Sequence, residues 1–288
     1  MMPKKVALLT DSCADLSRAL IEEYQIHVIP LRIRCRDGEY ADGIDITPSD
    51  IYARLRAGEL PQTSLPAGED MEAALERVAS QGYDGAIAIM LSSGLSGTYN
   101  LMRLAVQELE GRLLVRVYDS RSGSLGQGLT LLQVAEDIRA GMGWEELTER
   151  RIPYLLEHTF PFFSVDTLEY LQKGGRIGKI TATAGTLLKI KPILSFAPDG
   201  QLQSVAKVRG SGQVVDKLVE LTVKACGPHR RYNLAVANGG DSAGMERVKE
   251  KLTAALPGCE HLWSGEIDST LSVYIGDGVL GAAVQVLD

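Results

Sequence analysis

Six consecutive apolar residues, Ala86-Ile87-Ala88-Ile89-Met90-Leu91, do most to restrict the folds open to this chain. The run follows a turn at Gly82 to Asp84 and runs into Ser92-Ser93-Gly94. It has no polar alternation, so it reads as a strand buried on both faces. Such a strand needs helices above and below it, and the flanking pattern supplies them. Val6 to Leu9 and Leu113 to Tyr118 are further apolar strand candidates. Leu16 to Tyr24 has Leu16, Leu20 and Ile21 on one helical face. Glu69 to Ser80, Thr98 to about Leu109, Leu125 to Ala140 and Trp144 to Glu157 are also helical in pattern. Thr47 as N-cap with Pro48 at the first helical position starts another helix. His27 to Pro30 is extended, and Leu31 to Cys35 alternates as a half-buried strand before the Asp37-Gly38 turn. The rhythm strand, helix, strand, helix implies βαβ units and a parallel sheet covered on its faces.

The texture changes near Phe160. Phe160 to Val165 reads as a strand, Thr167 to Gln172 as a short helix, and Gly174-Gly175-Arg176-Ile177-Gly178-Lys179 as a glycine-rich basic loop. Thr186 to Ile190 is expected to be helical, Ile193 to Phe196 extended, and Pro198-Asp199-Gly200 a turn into Gln201 to Lys207. A helix over about Ser211 to Ala225, a strand over Tyr232 to Ala237, a helix over Ser242 to Ala255 and strands near Leu262 and Ala282 complete the chain. This order implies a second α/β domain with a mixed sheet. No low-complexity tract or long linker separates the halves, so two closely packed domains, 1–158 and 159–288, are expected.

Lysine plus arginine number 30 against 37 aspartate plus glutamate, a net charge of −7. Phosphate neutralisation needs clustered basic residues, so nucleic acid is not expected as a partner. No segment reaches the roughly 18 apolar residues that span a bilayer. The Val6–Leu9 run, interrupted at Asp11, is too short for a signal-peptide core, so a cytoplasmic location is expected. Cys13, Cys35, Cys226 and Cys259 lie far apart without a Cys-x-x-Cys pair. They read as small hydrophobes rather than as disulfides or zinc ligands. His27, His158, His229 and His261 have no metal-ligand spacing, and no metal is expected.

Three strands end in similar text: Thr10-Asp11-Ser12, Ser92-Ser93-Gly94 and Asp119-Ser120. In open α/β sheets, ligands bind beyond the carboxyl ends of the strands. The loop from Ser92 to Gly97 joins a buried strand to a helix. Gly94 and Gly97 let backbone pass close to a ligand, the helix start offers free N–H groups and a positive dipole end, and the hydroxyls add donors. It reads as a carboxylate or phosphate site, or as plain helix capping by Ser96 or Thr98. Thr63-Ser64-Leu65-Pro66 is a second hydroxyl cluster, or simply a turn between two helices. Arg176 either offers a fixed charged fork to an oxyanion or lies in a solvated basic loop.

Other enzyme signatures are missing. Ile180 stands where a phosphate loop needs Ser or Thr, the nucleophile-elbow pattern breaks at Thr98, and the dinucleotide fingerprint is absent. Asp11, Asp42, Asp45 and Asp119 have acid–base or metal-binding capacity, but no partner base or activated nucleophile accompanies them.

Taken together, these segments resemble the DegV family of bacterial fatty-acid-binding proteins over essentially the whole chain. The marks are Thr10-Asp11-Ser12, Gln25 to Leu31, Thr63-Ser64-x-Pro66, and Leu91 to Tyr99. After them come Leu168-x-Tyr170-Leu171-x-x-Gly174-Gly175-Arg176-Ile177, Leu187-Leu188-x-Ile190-Lys191-Pro192-Ile193-Leu194, and Lys207-x-Arg209-Gly210. The resemblance implies an N-terminal three-layer α/β/α domain with a parallel sheet and a C-terminal two-layer α/β domain with a mixed sheet. It implies one long-chain fatty acid in an apolar tunnel between them, the carboxylate at the domain junction, and no cofactor. It further implies a carrier, likened to the binding subunit of fatty acid kinase. A separate kinase subunit would convert the bound acid to an acyl phosphate for phospholipid synthesis. A monomer without catalysis of its own is the corresponding expectation.

Carried over by position, Thr63 and Ser64 look like carboxylate contacts from one loop. Ser92, Ser93, Ser96 and Gly97 look like contacts from the other, and Arg176 like the charged member. Near the C-terminus Tyr274 stands where the family commonly has histidine, two residues before Gly276-Asp277-Gly278, and Asp277 replaces a usual proline. Tyrosine donates a hydrogen bond but stays neutral near pH 7, so a possible positive charge is lost, and Asp277 is expected to add a negative one. Two other readings remain: an enzyme acting on a small carboxylate or phosphate through Asp11, Asp119 or Tyr274, and a lipid-binding regulator without kinase coupling.

Overall fold

The computed structural model describes residue 3 and residues 5–109, 112–180 and 190–288. Its first part runs β1 (Val6–Asp11), α1 (Arg18–Tyr24), β2 (Ile26–Ile29), β3 (Arg32–Cys35), β4 (Gly38–Ala41), α2 (Pro48–Arg56), β5 (Gln62–Ser64), α3 (Gly68–Ser80), β6 (Gly85–Met90), α4 (Thr98–Ala105), β7 (Leu114–Asp119), α5 (Leu125–Arg139) and α6 (Ile152–Glu157). The second part runs β8 (Thr159–Ser164), α7 (Glu169–Lys173), β9 (Ile190–Phe196), β10 (Leu202–Arg209), α8 (Val214–Cys226), β11 (Tyr232–Gly239), α9 (Ser242–Ala255), β12 (Leu262–Glu266), α10 (Ser269–Ile275) and β13 (Val279–Val286).

The apolar run from Ala86 becomes β6, an interior strand of a parallel sheet ordered β2-β1-β6-β7. All six residues of β6 are buried. Side-chain alternation divides them between two layers. Ala7, Leu9, Ala86, Ala88 and Met90 pack with Met71, Leu75 and Val78 of α3 and Met102 of α4. Leu8, Ile87 and Ile89 pack with Leu131, Leu132 and Ala135 of α5 and Leu155 of α6. Each large side chain buried this way contributes about 1.5–3 kcal/mol, which is why the run has no polar member.

The second sheet is mixed, ordered β10-β9-β8-β13-β11-β12, with only the β11–β12 pair parallel. Helices α8 and α9 pack on it around Leu218, Val248 and Leu252. Helix α5 lies between the two sheets. One side meets Leu8, Ile87 and Ile89, and the other meets β11 and β13 through Leu129, Ala235 and Ala283. Gln133 of α5 accepts from Asn233 Nδ2 of β11 at 2.7 Å, so the contact between helix and mixed sheet is partly polar.

Several boundaries differ from the sequence reading. Thr63-Ser64 is not a turn: β5 is an edge strand of a small antiparallel sheet, β4-β3-β5, paired to β3 through Ile33 and Thr63. The stretch read as one helix from Trp144 contains a π-helical segment, Glu146–Arg151, before α6. Ile190, read as the end of a helix, opens β9. The rest of that stretch, Thr186 to Lys189, lies outside the described residues, as do Leu187 and Leu188 of the family motif. Helix α10 was not anticipated. The start of α2 follows the sequence reading, with Thr47 and Asp50 forming a reciprocal capping box behind Pro48.

Candidate functional site

A cavity of about 300 Å³ lies among β5, the start of α5, α10, and strands β8, β9 and β13. That is the lower end of the size range for small-molecule sites. Its interior is apolar, built from Leu125, Phe163, Phe196, Ala237, Leu271 and Gly281 among others. Exposed Ser64, Leu65 and Gly97 mark its mouth.

Six of the eight residues named from sequence line this cavity: Thr63, Ser64, Ser96, Gly97, Arg176 and Tyr274. The hydroxyls of Thr63 and Tyr274 share a short hydrogen bond across the gap between β5 and α10. Arg176 stands beside them, its guanidinium over the Tyr274 ring at 5.1 Å. Its Nη1 donates to the Gly174 carbonyl at 2.7 Å and its Nε to the Leu95 carbonyl at 3.3 Å. Both acceptors are neutral, and Arg176 has no salt bridge among the described residues. The glycine at position 174 is required by this arrangement: a Cβ there would lie 2.4 Å from the Tyr274 ring. Gly174 thus lets the Tyr274 ring close against the loop, while Gly175 serves the turn through its φ of +71°.

Ser96 faces the cavity and precedes Gly97, the N-cap of α4. Its oxygen accepts from the Thr98 N–H at 3.3 Å, a local turn contact ahead of α4, which has no side-chain cap. Ser92 and Ser93 do not line it. The buried Ser92 hydroxyl donates to the Gly200 carbonyl at 2.8 Å and accepts from the Gly94 N–H at 3.1 Å. It ties the end of β6 to the turn between β9 and β10. That turn needs glycine at 200, where φ is +76° and a Cβ would lie 2.1 Å from Ser92 Oγ. Ser93 is exposed, and its hydroxyl donates to Asp119. The Ser92 hydroxyl is held by a backbone carbonyl and the Ser93 hydroxyl by a carboxylate, which the loop's composition does not reveal.

Asp277 is also placed differently from the expectation. Its carboxylate accepts from Arg56 of α2 at 2.7 Å and 3.1 Å, and it is not a cavity residue, so its charge is neutralised away from Arg176. The other candidate carboxylates hold backbone. Asp11 accepts from the N–H groups of Leu91 and Cys13 at 2.6 Å and 3.1 Å. Asp42 accepts from the N–H groups of Ser269 and Thr270, and so fixes the start of α10. Asp45 and Asp119 accept from the N–H groups of Ala41 and Arg121. No cluster that could hold a metal is found among the described residues.

Sequence reasoning missed Ser124, Thr270, Leu271 and Ile275. Three of these are on α10, whose Asp268 side chain caps Leu271 N–H at 2.7 Å and whose Gly276 follows its last residue. An N-cap aspartate before an apolar run, closed by glycine, was the available signal.

Asp268 also meets Asp15: its N–H donates to Asp15 Oδ1 at 2.9 Å, which sets the two carboxyls side by side. Each retains some exposed surface, yet desolvation by the surrounding protein raises both pKa values, and the neighbouring Asp42 charge adds to this. A raised carboxyl in the folded state keeps a proton that the unfolded chain releases near pH 4. Its contribution to stability is therefore full below about pH 4 and is lost as pH rises through the folded value. Asp268→Asn keeps the cap acceptor and removes one of the two ionisable groups at every pH. The Tm difference, variant minus wild type, is expected to be near zero at about pH 4 and positive at neutral pH. A difference independent of pH, measured by calorimetry across that interval, would remove the pair from this role.

The family model DegV, described as "uncharacterised protein, DegV family", matches residues 5–286. A DegV domain-containing protein of Clostridium acetobutylicum is 37% identical over 281 residues, covering 98% of this chain and 99% of its own length. Among solved structures, a DegV family protein from Thermus thermophilus described as binding fatty acid aligns with a TM-score of 0.91 and 30% identity. It covers 98% of this chain and 100% of the other. DegV from Bacillus subtilis, described as a fatty acid binding protein, aligns with a TM-score of 0.87 and 29% identity over 99% and 100% of the two chains.

Proposed function

The chain belongs to the DegV family, and from that premise we propose that it binds one long-chain fatty acid, with the acyl chain in the cavity and the carboxylate at Arg176. One observation carries the reading: a guanidinium bonded only to neutral carbonyls stands at a cavity whose other lining residues are apolar or uncharged. An acyl chain gains about 0.8 kcal/mol per buried methylene. A carboxylate drawn in with it must be paired or hydrogen-bonded, or desolvation cancels that gain. Arg176, the Thr63–Tyr274 hydroxyl pair and Ser96 supply that pairing. The fatty-acid-binding relatives support the same ligand class.

The protein acts in this reading as a cytoplasmic, monomeric carrier rather than as a catalyst, with the cavity between domains 1–158 and 159–288. The carboxylate lies near the mouth, beside exposed Ser64 and Leu65, where a separate kinase subunit reaches it and forms the acyl phosphate. Asp277 pairs with Arg56 and does not line the cavity, so it sets no carboxylate against the doubly charged product, which favours this coupling. Organic extraction of the purified protein followed by mass spectrometry is expected to show about one fatty acid per chain. Finding none, together with no heat of binding for long-chain acids, rejects the reading.

A further inference from the structure

The cavity has a smaller neighbour. An apolar cleft of about 20 Å³ lies beyond the start of α5, among α1, α5, β11 and β12. Its walls are Leu16, Leu20, Leu129, Leu132, Ala235 and Trp263, and its lining reaches the exposed Ser264. That volume has room for little more than one water, so no acyl segment fits in the cleft alone. Asp15 is the one charged residue on the lining, and its carboxyl already accepts from the Ser124 hydroxyl and the Asp268 N–H.

Leu125 is the one residue that lines both spaces. On the cavity side it packs against the cluster that holds Leu171, Ala237 and Ile267. On the other side it packs against the cluster of Leu129 and Ala235, which line the cleft. Its Cδ1 faces Gly281, 3.3 Å from where a Cβ would stand. Every residue of α5 from Gly126 to Ala135 is buried, yet Leu125 is only half-buried, because a void lies on either side of it. The helix itself is fixed, by Gln133 against Asn233 on one flank and Leu131 against Ile87 on the other. The Leu125 side chain therefore divides the two spaces.

We infer that Leu125 sets the longest acyl chain this protein holds, its isobutyl group being the partition between the acyl cavity and a latent extension that ends at Trp263. With the carboxylate at Arg176 and Tyr274, the methyl end of the chain runs past Phe163 and Gly281 and stops against Leu125. Methylenes beyond that length find no apolar wall to cover them and add nothing to affinity. Replacing leucine with alanine removes Cγ, Cδ1 and Cδ2, which frees roughly the space of three methylenes and joins it to the cleft. This inference rests on the fatty-acid reading above and adds a length limit to its ligand class.

The test titrates delipidated full-length protein with saturated straight-chain acids from lauric to lignoceric by calorimetry. In the wild type, affinity is expected to rise with length and then level off. In Leu125→Ala the levelling is expected about three carbons later, and acids of that length are expected to bind roughly sixtyfold more tightly than to the wild type. Leu125→Val, a milder truncation, is expected to move the limit by about one carbon, which keeps the test open should the alanine variant fail to fold. Leu129→Ala removes a buried side chain of the same size that lines only the cleft, and is expected to leave the limit unchanged. A second readout uses Trp263: an acid brominated at its methyl end is expected to quench tryptophan fluorescence in Leu125→Ala and not in the wild type, since Trp144 lines neither space. Unchanged limits in both Leu125 variants overturn the inference and leave the fatty-acid reading intact. An equal shift in Leu129→Ala, or a longer limit without quenching, also overturns it. Failure of the wild type to bind any acid of the series defeats the fatty-acid reading, and this inference falls with it.

Discussion

Arg176→Ala is expected to weaken binding of a long-chain fatty acid by about a hundredfold and to change binding of its methyl ester by less than about threefold, because the ester presents no charge to the guanidinium. Hydrogen bonds to charged groups contribute about 1.5–3 kcal/mol each, and a hundredfold loss corresponds to about 2.7 kcal/mol. The effect has this size because no carboxylate of the described chain pairs with Arg176, so its charge is available to the ligand. Lysine is not expected to restore full binding, since a point charge lacks the planar fork. Ser93→Ala serves as the matched control: its hydroxyl already serves Asp119, and binding of the acid is expected to be unchanged. Calorimetric titration of acid and ester against the three variants decides the matter. Equal losses for acid and ester in Arg176→Ala would take the residue out of the head-group role.

Gly281→Val should shorten the longest acid that the protein holds. Gly281 lies in the buried interior of β13 and lines the cavity. A glycine inside a strand often marks a close approach by something other than a side chain. A Cβ added there would lie 3.3 Å from Leu125 Cδ1, 3.6 Å from the Phe162 carbonyl oxygen and 3.8 Å from Phe163 Cβ, so valine presses on Leu125, itself a lining residue, and narrows the cavity. Displacing about three methylenes at about 0.8 kcal/mol each lowers the affinity for the longest acids by roughly sixtyfold. Acids too short to reach the position are unaffected. Affinity measured along a series of saturated acids should therefore stop rising earlier in the variant. Identical profiles for both proteins would show that the acyl chain does not pass Gly281.

Much of the fold could be read before any coordinates, for reasons visible in single segments. The Ala86 run is legible because burial on both faces leaves no place for a polar residue, and Thr47-Pro48 because capping is local chemistry. β5 and α10 were not legible. β5 has three residues, Gln62-Thr63-Ser64, with no apolar alternation, and is a strand only because β3 pairs with it. Helix α10 is short and its start is fixed by Asp42, some 227 residues earlier in the chain.

The site divides along the same line. Thr63, Ser96 and Arg176 announced themselves by residue type. Ser92 and Ser93 carry the same type, and nothing local shows that their hydroxyls are held by Gly200 and Asp119 instead. Tyr274 entered through family likeness alone, and Leu125 stands out only when the walls of both voids are traced in three dimensions.

Helix α5 has consequences for how cargo gets in. Because it is gripped by strands on either side, with Gln133 locked to Asn233 on one flank and Leu131 against Ile87 on the other, the two sheets cannot swing apart like jaws without stripping a shared interior. A jaw-like opening would cost that interior, so for the proposed ligand the expected route in is by small displacements at the rim, around Leu65 and Gly97.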